Sequence, residues 1–505
     1  MGLNKGLANI TFGLIRQLVM LVLGLILPRL IIEGYGSEVN GFMSSVTQFV
    51  MYLSLLEVGI GTASLQALYK PVSSGDKAGI NAIMAATDRY YKRTGLIYGL
   101  CVIALAFLYP IFVDSVIPSA TIIIFILISG MTGVINYLFQ GKYKLLLMAE
   151  GKDYIITNLG TLTFIGTNVL KIVLISVGVN IILLQTVTLI FNILQMIYIY
   201  MYIKHKYGWL NLKVIPNYGA ISQSKDVMIH EISYMVYAYT DVIFLSMIDL
   251  KMVSVYIVYN MVFGAVENIL NTFTSGIQYL LGQAYYKALD VYKRLYDAVE
   301  LLFLEISFAF YAVLMLFIEP FLKVYTSNVS DTEYLLKFLP VFFLVIKLLT
   351  VIRTITVQVV TVTGHFSNTK WISIIEAALN LLCTLIFIKY FSIYGVLIGT
   401  IVALTVRIMY MIYYTNVEIL QRKPIIIIKR LVINSFVLIV LLCIFTDLTS
   451  EINSFMTMIL YAIPLLILSI VIFFAVGLIT DYKTSKYIVT TVIRKLPFLN
   501  TLIKK

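Results

Sequence analysis

Residues 455–478 read FMTMILYAIPLLILSIVIFFAVGL, twenty-four consecutive residues without a charged side chain. An α-helix needs about 20 mainly apolar residues to cross the ~30 Å hydrocarbon core of a bilayer. Runs of this length recur along the whole 505-residue chain, of which 60% is hydrophobic and only 12% is charged. A soluble domain carries about 25% charged residues. The sequence therefore predicts an all-α integral membrane protein.

Fourteen such runs are predicted to be transmembrane helices. Their approximate limits are 7–32, 41–66, 94–113, 119–140, 154–177, 181–203, 228–248, 253–281, 298–320, 336–361, 371–389, 393–416, 430–447 and 455–478. Lysine and arginine test this map, because cytoplasmic loops carry an excess of both. With a cytoplasmic N-terminus, 27 of the 37 fall in inner loops or the tail, four in outer loops and six within spans. The bias predicts a multi-pass protein with both termini in the cytoplasm.

The net charge of +12 follows from this distribution and from attraction to anionic lipid. It therefore gives no indication of a nucleic-acid partner. The first apolar run is too long for a cleaved signal peptide and contains Arg16 and Arg29, so we expect it to remain as the first span.

Signals for a cofactor or for catalysis are few. The three cysteines lie in three separate spans and the three histidines lie far apart, so neither set has the spacing of a metal site. The sequence contains no GxxxxGK[ST] loop and no loop long enough for an ATP-hydrolysing domain. We expect no cofactor, no metal and no enzyme activity. Any pumping would draw on a H⁺ or Na⁺ gradient, or on the gradient of the cargo itself.

A weak internal repeat relates the two halves of the chain at an offset of six spans. The matching anchors are 36–42 with 249–256, 68–70 with 285–287, and 151–152 with 364–365. Because six is even, the two copies have the same orientation, as in transporters that bind cargo between parallel repeats. The predicted domains are an N-lobe at 1–225, a C-lobe at 226–420, two additional helices at 421–480 and a basic tail at 481–505.

Six cationic side chains lie within the predicted spans: Arg16, Arg29, Lys171, Lys347, Arg353 and Arg407. A charge at the bilayer centre costs about 2.5–3.5 kcal/mol on insertion scales, so we expect these groups to face a watery interior that accepts an anionic cargo. Two alternatives stay open: Arg29 snorkels to the outer interface, and Lys171 pairs with a carboxylate. Lys347 and Arg353 are separated by about 240° around one helix, so one of them is expected to pair with a neighbouring span.

Five carboxylates lie within the spans as well: Glu57, Asp241, Glu267, Glu305 and Glu376. Such groups pair with cations, carry protons or help to hold Na⁺. We predict ion coupling or gating for Asp241, Glu57 and Glu267, with a structural salt bridge as the alternative for Asp241. Glu57 precedes Gly59 and Gly61, where the helix could bend or another helix could approach closely. Glu305 and Glu376 are interpreted as partners for cations near the inner span ends.

Five short stretches resemble one known family. They are 35–41 (YGSEVNG), 56–63 (LEVGIGTA), 68–71 (LYKP), 240–243 (TDVI) and 253–256 (VSVY), the last followed by Tyr259. On these residues and on its fourteen-span plan, the chain resembles the Wzx-type flippases that handle repeat units of O-antigen, capsule and exopolysaccharide. That family is part of the multidrug/oligosaccharidyl-lipid/polysaccharide (MOP) exporter superfamily.

The resemblance implies two pseudo-symmetric six-helix lobes in a V, plus two C-terminal helices, as in MATE transporters and MurJ. It also implies alternating-access transfer of undecaprenyl-pyrophosphate-linked oligosaccharide from the inner to the outer leaflet of the bacterial cytoplasmic membrane. The expected pyrophosphate contacts are then Arg16, Arg353 and Arg407, supported by Lys347 and Lys171, because guanidinium forks match phosphate oxygens. The implied partners are the lipid-linked substrate, membrane lipids and polysaccharide polymerase machinery, and the fold needs only a monomer.

Three alternatives stay open on the sequence. A flippase for lipid II or for a teichoic-acid precursor has the same kind of cargo in another pathway. A drug/cation antiporter of the same superfamily would be expected to have an acidic, aromatic cavity, which the six cations disfavour. A glycosyltransferase or polymerase usually needs a large outer loop or a cytosolic domain, and the sequence provides neither.

Overall fold

The computed structural model describes residues 2–57, 59–221, 225–449, 452–488 and 490, and every regular element among them is helical. Packing divides the chain into two units, Met1–Ile257 and Val258–Lys505. The first unit contains α1 (Gly2–Tyr35), α2 (Ser37–Leu53), α3 (Ile60–Ser74), α4 (Lys77–Phe112), α5 (Ser119–Ile135), α6 (Gly141–Ala149), α7 (Asp153–Ser176), α8 (Ile181–Lys206) and α9 (Lys225–Ser246).

The division falls within the long helix α10 (Leu250–Lys287). The second unit continues with α11 (Leu289–Tyr325), α12 (Leu339–Thr363), α13 (Phe366–Phe391), α14 (Ile393–Tyr414), α15 (Ile425–Thr449), α16 (Phe455–Thr480) and α17 (Tyr482–Tyr487). α9 packs against α2 in the first unit. The lobe boundary predicted at residue 225 rests on span counting and stays a prediction.

Each of the fourteen predicted spans coincides with a helix or a broken helix pair, so their placement from hydropathy is confirmed. Twelve of them are long and apolar enough to cross a membrane, within the part of the chain that the structure describes. The other two are α1, whose side chains up to residue 18 lie outside the described residues, and α9. In α9 the polar groups of His230, Glu231 and Asp241 lower the mean hydropathy.

The helix breaks occur where the sequence places glycine. The second predicted span changes to a 3₁₀ turn at Ser54–Glu57 and resumes at Ile60 after Gly59, which has a φ of 86°. That conformation is readily accessible only to glycine, so the bend expected after Glu57 is confirmed. A second irregularity is a π-helical turn at Asn136–Gln140, between α5 and α6. Turns of this kind often mark functional sites.

Glycines also set how closely the helices pack. On α14, a Cβ at Gly395 would lie 2.3 Å from the Phe387 carbonyl oxygen of α13, and one at Gly399 would lie 2.5 Å from Thr384 Oγ1. Asn380 adds a 3.0 Å hydrogen bond to Thr400 Oγ1 between the same helices. The Gly395-x-x-x-Gly399 spacing therefore allows α13 and α14 to approach closely, as small residues do between membrane helices.

We expect Gly41→Ala to lower the free energy of unfolding by about 1–3 kcal/mol, the usual cost of overpacking. A Cβ at Gly41 of α2 would lie 1.8 Å from the Leu250 carbonyl oxygen at the start of α10. Backbone cannot move aside as a flexible side chain can. Chemical denaturation of the purified protein in detergent measures the change.

Gly160→Ala is the matched control, because nothing lies within 4 Å of a Cβ at Gly160 in α7. Alanine is favoured over glycine within a helix by about 0.5–1 kcal/mol, so this variant should be slightly more stable than the wild type. Equal stability of the two variants would show that α2 and α10 do not approach as closely as described.

Candidate functional site

Two arginines share one carboxylate in the second unit. Glu376 on α13 is fully buried; its Oε1 accepts a 3.2 Å hydrogen bond from Arg353 Nε on α12, and its Oε2 accepts one from Arg407 Nη1 on α14. Arg407 Nη1 also donates to Ser373 Oγ at 3.1 Å. We call Arg353, Glu376 and Arg407 the arginine triad. The formal charge of these three groups together is +1.

Tight connections between consecutive antiparallel helices place the triad at one depth. Glu376 and Arg407 lie 16 and 15 residues from Ser392, where α13 turns into α14, and both therefore lie roughly 23 Å along their helices. The same arithmetic holds for Arg353 and Glu376 around the turn at Gly364–His365. In a short antiparallel hairpin, residues equidistant from the turn face each other.

The third cation on these helices has its own partner. Lys347 of α12 donates to Glu267 Oε2 at 2.6 Å and to Asn260 Oδ1 at 3.2 Å, both on α10. The side chain of Glu267 is 29% exposed and that of Lys347 is 10% exposed, so the pair is only partly buried. We expected one of Lys347 and Arg353 to pair with a neighbouring span, and in fact both do, each on a different side of α12.

Lys171 differs from these cations. It lies on α7 with Asn168 and Thr167, which share its helix face, and all three are buried. Asn168 donates to its own helix, to the Phe164 carbonyl oxygen at 2.7 Å. Among the described side chains, none forms a hydrogen bond or ion pair with Lys171, so the carboxylate partner considered from the sequence is not found there. A buried cation in this state is costly unless an anion joins it.

Two other predicted contacts lie on α1. Arg29 Nε pairs with Glu33 Oε1 at 3.0 Å one helical turn away, and both side chains are about one quarter exposed. A partly exposed ion pair of this kind fits the alternative in which Arg29 extends to the membrane interface. The side chain of Arg16 lies outside the described residues, so its role as a pyrophosphate contact stays a prediction.

Asp241, the first candidate for ion coupling, is buried on α9 and accepts a 3.1 Å hydrogen bond from Tyr256 Oη of α10. The neighbouring Thr240 hydroxyl donates instead to the Val236 carbonyl oxygen of its own helix. Asn40 on α2 donates to Ser254 Oγ of α10 at 2.7 Å. A buried acid among hydroxyls and amides can bind a proton or contribute an oxygen ligand to Na⁺.

Glu57 lies at the break in the second span, facing tyrosines. Tyr91 Oη donates to Glu57 Oε1, and the Tyr137 hydroxyl is directed at the same carboxylate. Tyr137 belongs to the π-helical turn, and its ring packs edge-on against Tyr91 at 6.0 Å between centroids. Lys144 is the nearest cation and donates to Asn136 Oδ1 at 3.1 Å. The broken span and the π turn therefore meet at one carboxylate.

We expect Tyr91→Phe to lower the free energy of unfolding by about 1.5 kcal/mol, the lower end for a hydrogen bond to a charged group. The change removes the hydroxyl that Glu57 accepts from while keeping the ring in place. Tyr90→Phe is the matched control, because no hydrogen bond of the Tyr90 hydroxyl is found among the described residues. If both variants unfold at the same denaturant concentration, the Tyr91–Glu57 contact contributes nothing.

A further charged network lies at the helix ends, and the sequence analysis missed it. Arg422 contacts Asp297 and Glu300 of α11, while Arg430 of α15 contacts Glu300 at 2.6 Å and also Asp481. Burial lowers the pKa of Arg422 to about 10, so it stays charged at neutral pH. Burial raises the pKa of Asp481, but the hydrogen bond and charge of Arg430 outweigh burial and bring the pKa below its usual value.

Several residues of these contacts were not singled out from the sequence. Arg422 and Arg430 were counted among the 27 cations of the inner loops and tail, and Tyr91, Tyr137, Asn260 and Ser373 were not assigned. The signal for the arginine triad was present in the nearly equal spacing of its members around two turns. Tyr256 was noted only as part of a family-like stretch.

Comparisons with known proteins establish the fold. No protein-family model matches the chain, and no curated protein sequence is significantly similar to it. Its structure is similar to lipid II flippase MurJ in an inward closed conformation, with a TM-score of 0.66, 16% identity, and coverage of 92% of this chain and 98% of that one. It is also similar to an inward-facing MATE family multidrug resistance transporter of the MOP superfamily. That structure gives a TM-score of 0.60 at 15% identity, covering 79% of this chain and 97% of that one.

The MATE multidrug transporter DinF-BH in complex with R6G gives a TM-score of 0.58 at 13% identity, covering 84% of this chain and 98% of that one. These similarities extend over nearly the whole length of each neighbour, so they concern the complete architecture and not a shared helix pair. The chain therefore has the fold of the MATE and MurJ transporters of the MOP superfamily.

Proposed function

We propose that this protein is a flippase that moves undecaprenyl-pyrophosphate-linked oligosaccharide from the inner to the outer leaflet of the bacterial cytoplasmic membrane. The observation that carries the proposal is the arginine triad, in which two guanidinium groups share one carboxylate at mid-span. A pyrophosphate provides several oxygens in the geometry that arginine binds bidentately. When cargo binds, its pyrophosphate would replace the Glu376 carboxylate as the partner of the two arginines. Breaking these contacts with Glu376 would favour movement of α12, α13 and α14.

Lys171 supports the same proposal. Its buried ammonium pairs with no described carboxylate, and the pyrophosphate of the cargo would give it an anionic partner. The MOP fold supports transport by alternating access, with Asp241, Glu57 and Glu267 as candidates for H⁺ or Na⁺ coupling. The partners that this function requires are the lipid-linked substrate, the surrounding lipids and the polymerase that uses the product. No step requires an enzyme activity or a second subunit.

A lipid II or teichoic-acid-precursor flippase is the second candidate, and one observation favours it. The alignment with lipid II flippase MurJ includes 92% of this chain, against 79% and 84% for the two multidrug transporters. Both candidates carry a lipid-linked anion, so they differ in the sugar and not in the phosphate chemistry. A cation antiporter is disfavoured, because an organic cation would have to bind beside the positively charged triad.

Reconstitution tests the proposal directly. Proteoliposomes are loaded with a fluorescent undecaprenyl-pyrophosphate oligosaccharide, and a membrane-impermeant quencher reports how much becomes accessible at the outer surface. We expect protein-dependent transfer of the oligosaccharide, with imposed H⁺ and Na⁺ gradients identifying the driving ion. Transfer of labelled lipid II alone would support the second candidate, and transport of an organic cation alone would refute both.

A further inference from the structure

A pocket opens at the ends of α11, α15, α16 and α17 in the second unit, outside the residues assigned to transport. It encloses about 590 Å³, within the 300–1,000 Å³ range of ligand pockets. The positive-inside distribution predicts this end of the helices to be cytoplasmic. Its lining residues are Arg294, Asp297, Ile426, Lys429, Arg430, Ile433, Thr480, Asp481, Lys483, Thr484 and Tyr487.

The pocket floor holds two arginines and three carboxylates. Arg430 contacts Asp481, and Arg422 contacts Asp297. Glu300, fully buried, contacts both arginines. These contacts fix the floor and leave it with a formal charge of −1.

The rim is cationic and uncompensated. Arg294, Lys429 and Lys483 are exposed, and among the described residues none of them forms an ion pair. Lys429 is held in place by a 3.4 Å hydrogen bond from its Nζ to the Thr480 carbonyl oxygen. The three positive groups of the rim outweigh the single negative charge of the floor, so the pocket has a formal charge of +2, which favours an anion.

An apolar stripe runs away from the rim along α15. Ile425, Val432 and Phe436 are 61–67% exposed, and on the helix this stripe is adjacent to the face that lines the pocket with Ile426, Lys429 and Ile433. In a membrane such a stripe contacts acyl chains. The site therefore offers cations for a phosphate and, next to them, a surface for hydrocarbon.

We infer that this pocket binds the phosphate-bearing headgroup of an anionic phospholipid of the inner leaflet, with its acyl chains lying along the exposed stripe of α15. Basic pockets between helices on the cytoplasmic side are a recurrent form of lipid-headgroup site. The C-terminal segment after residue 490 is an unsuitable occupant, because its charged side chains, Arg494, Lys495, Lys504 and Lys505, are all basic. The shared chemistry is a phosphate, so free phosphate is the alternative source.

The test measures binding of phosphatidylglycerol to the purified full-length protein by titration in native mass spectrometry. The variant Arg294→Gln/Lys429→Gln/Lys483→Gln should bind about a hundredfold more weakly than the wild type, from about fivefold per cation. The control Lys70→Gln/Lys206→Gln/Lys213→Gln removes the same charge from exposed positions outside the pocket. It should stay within about twofold of the wild type, because none of these three lysines lines the pocket.

Three results would overturn the inference. Equal loss of binding in both triple variants would mean general attraction to a basic surface. Thermal unfolding of the wild type is also measured with inorganic phosphate and with phosphatidylglycerol at matched phosphate concentration. If both protect the protein equally, the pocket is a free-phosphate site. Unchanged binding in the pocket variant would place the lipid elsewhere. Since the readout is binding and not transport, its failure would leave the proposed flippase function untouched.

Discussion

Replacing Glu376 with glutamine is expected to destabilise the protein by about 3–5 kcal/mol, the usual cost of removing one partner from a buried ion pair. Glu376 is fully buried and is hydrogen-bonded to both arginines of the triad. Glutamine keeps the shape but leaves Arg353 and Arg407 beside each other without the shared anion. Denaturant unfolding in detergent measures the loss.

Glu319→Gln is the control, because Glu319 pairs with Lys323 at 2.7 Å but both side chains are about half exposed or more. Such pairs contribute about 0–1 kcal/mol. Inorganic pyrophosphate should also raise the melting temperature of Glu376→Gln by more than that of the wild type, because the vacated guanidinium groups can bind it. Wild-type stability of Glu376→Gln, or no response to pyrophosphate, would remove the triad as an anion site.

Lys171→Met is expected to separate stability from transport. The variant should be at least as stable as the wild type, because it removes a buried charge that no described carboxylate compensates. Transport of the pyrophosphate-linked cargo should fall about thirtyfold or more, since losing one partner of a buried charge pair costs about 2–5 kcal/mol. The proteoliposome assay and a denaturation curve on the same preparation measure both quantities.

Lys389→Met provides the comparison for this variant. Lys389 is exposed near the end of α13, and its replacement changes net charge and length in the same way as Lys171→Met. It should leave transport unaltered. If Lys171→Met transports normally but unfolds more easily, Lys171 has a structural role and does not contact the cargo.

Hydropathy predicted the positions of the helices well, because a membrane leaves few other conformations for a long apolar run. A helix break could also be predicted where the backbone conformation requires glycine, as at Gly59. The π-helical turn at Asn136–Gln140 was not, because no residue type in it demands that geometry. α9 shows the other limit: its polar groups place it among the helices of lowest hydropathy although it is continuous.

Pairing of the buried charges was less predictable. The sequence shows each cation within a span but not its partner, and a cation without a partner suggests an anionic cargo. In the structure, Arg353, Arg407 and Lys347 each have a carboxylate partner on a neighbouring helix. Partners depend on which faces of which helices meet, and hydropathy carries no such information. For Glu376 and Arg407 the nearly equal distances to the turn at Ser392, 16 and 15 residues, were the available signal. Glu267 and Lys347 lie on non-consecutive helices, and no spacing rule connects them.

The predicted roles of the site residues are compatible with this pairing. A cation that binds a carboxylate in one conformation can exchange it for a phosphate in another, as the proposed alternating access requires of the triad and of the Lys347–Glu267 pair. Arg16 stays a predicted contact of the pyrophosphate, and Arg29 stays a predicted cavity residue. The sugar unit of the cargo is not encoded in these charges.

The most direct test of the central claim is lipid analysis of a strain that lacks this gene. Undecaprenyl-linked intermediates are extracted, and their leaflet is determined with a membrane-impermeant probe. We expect a complete pyrophosphate-linked oligosaccharide to accumulate on the inner leaflet, which would also identify the cargo. No accumulation, together with altered sensitivity to organic cations, would contradict the flippase function and indicate an antiporter.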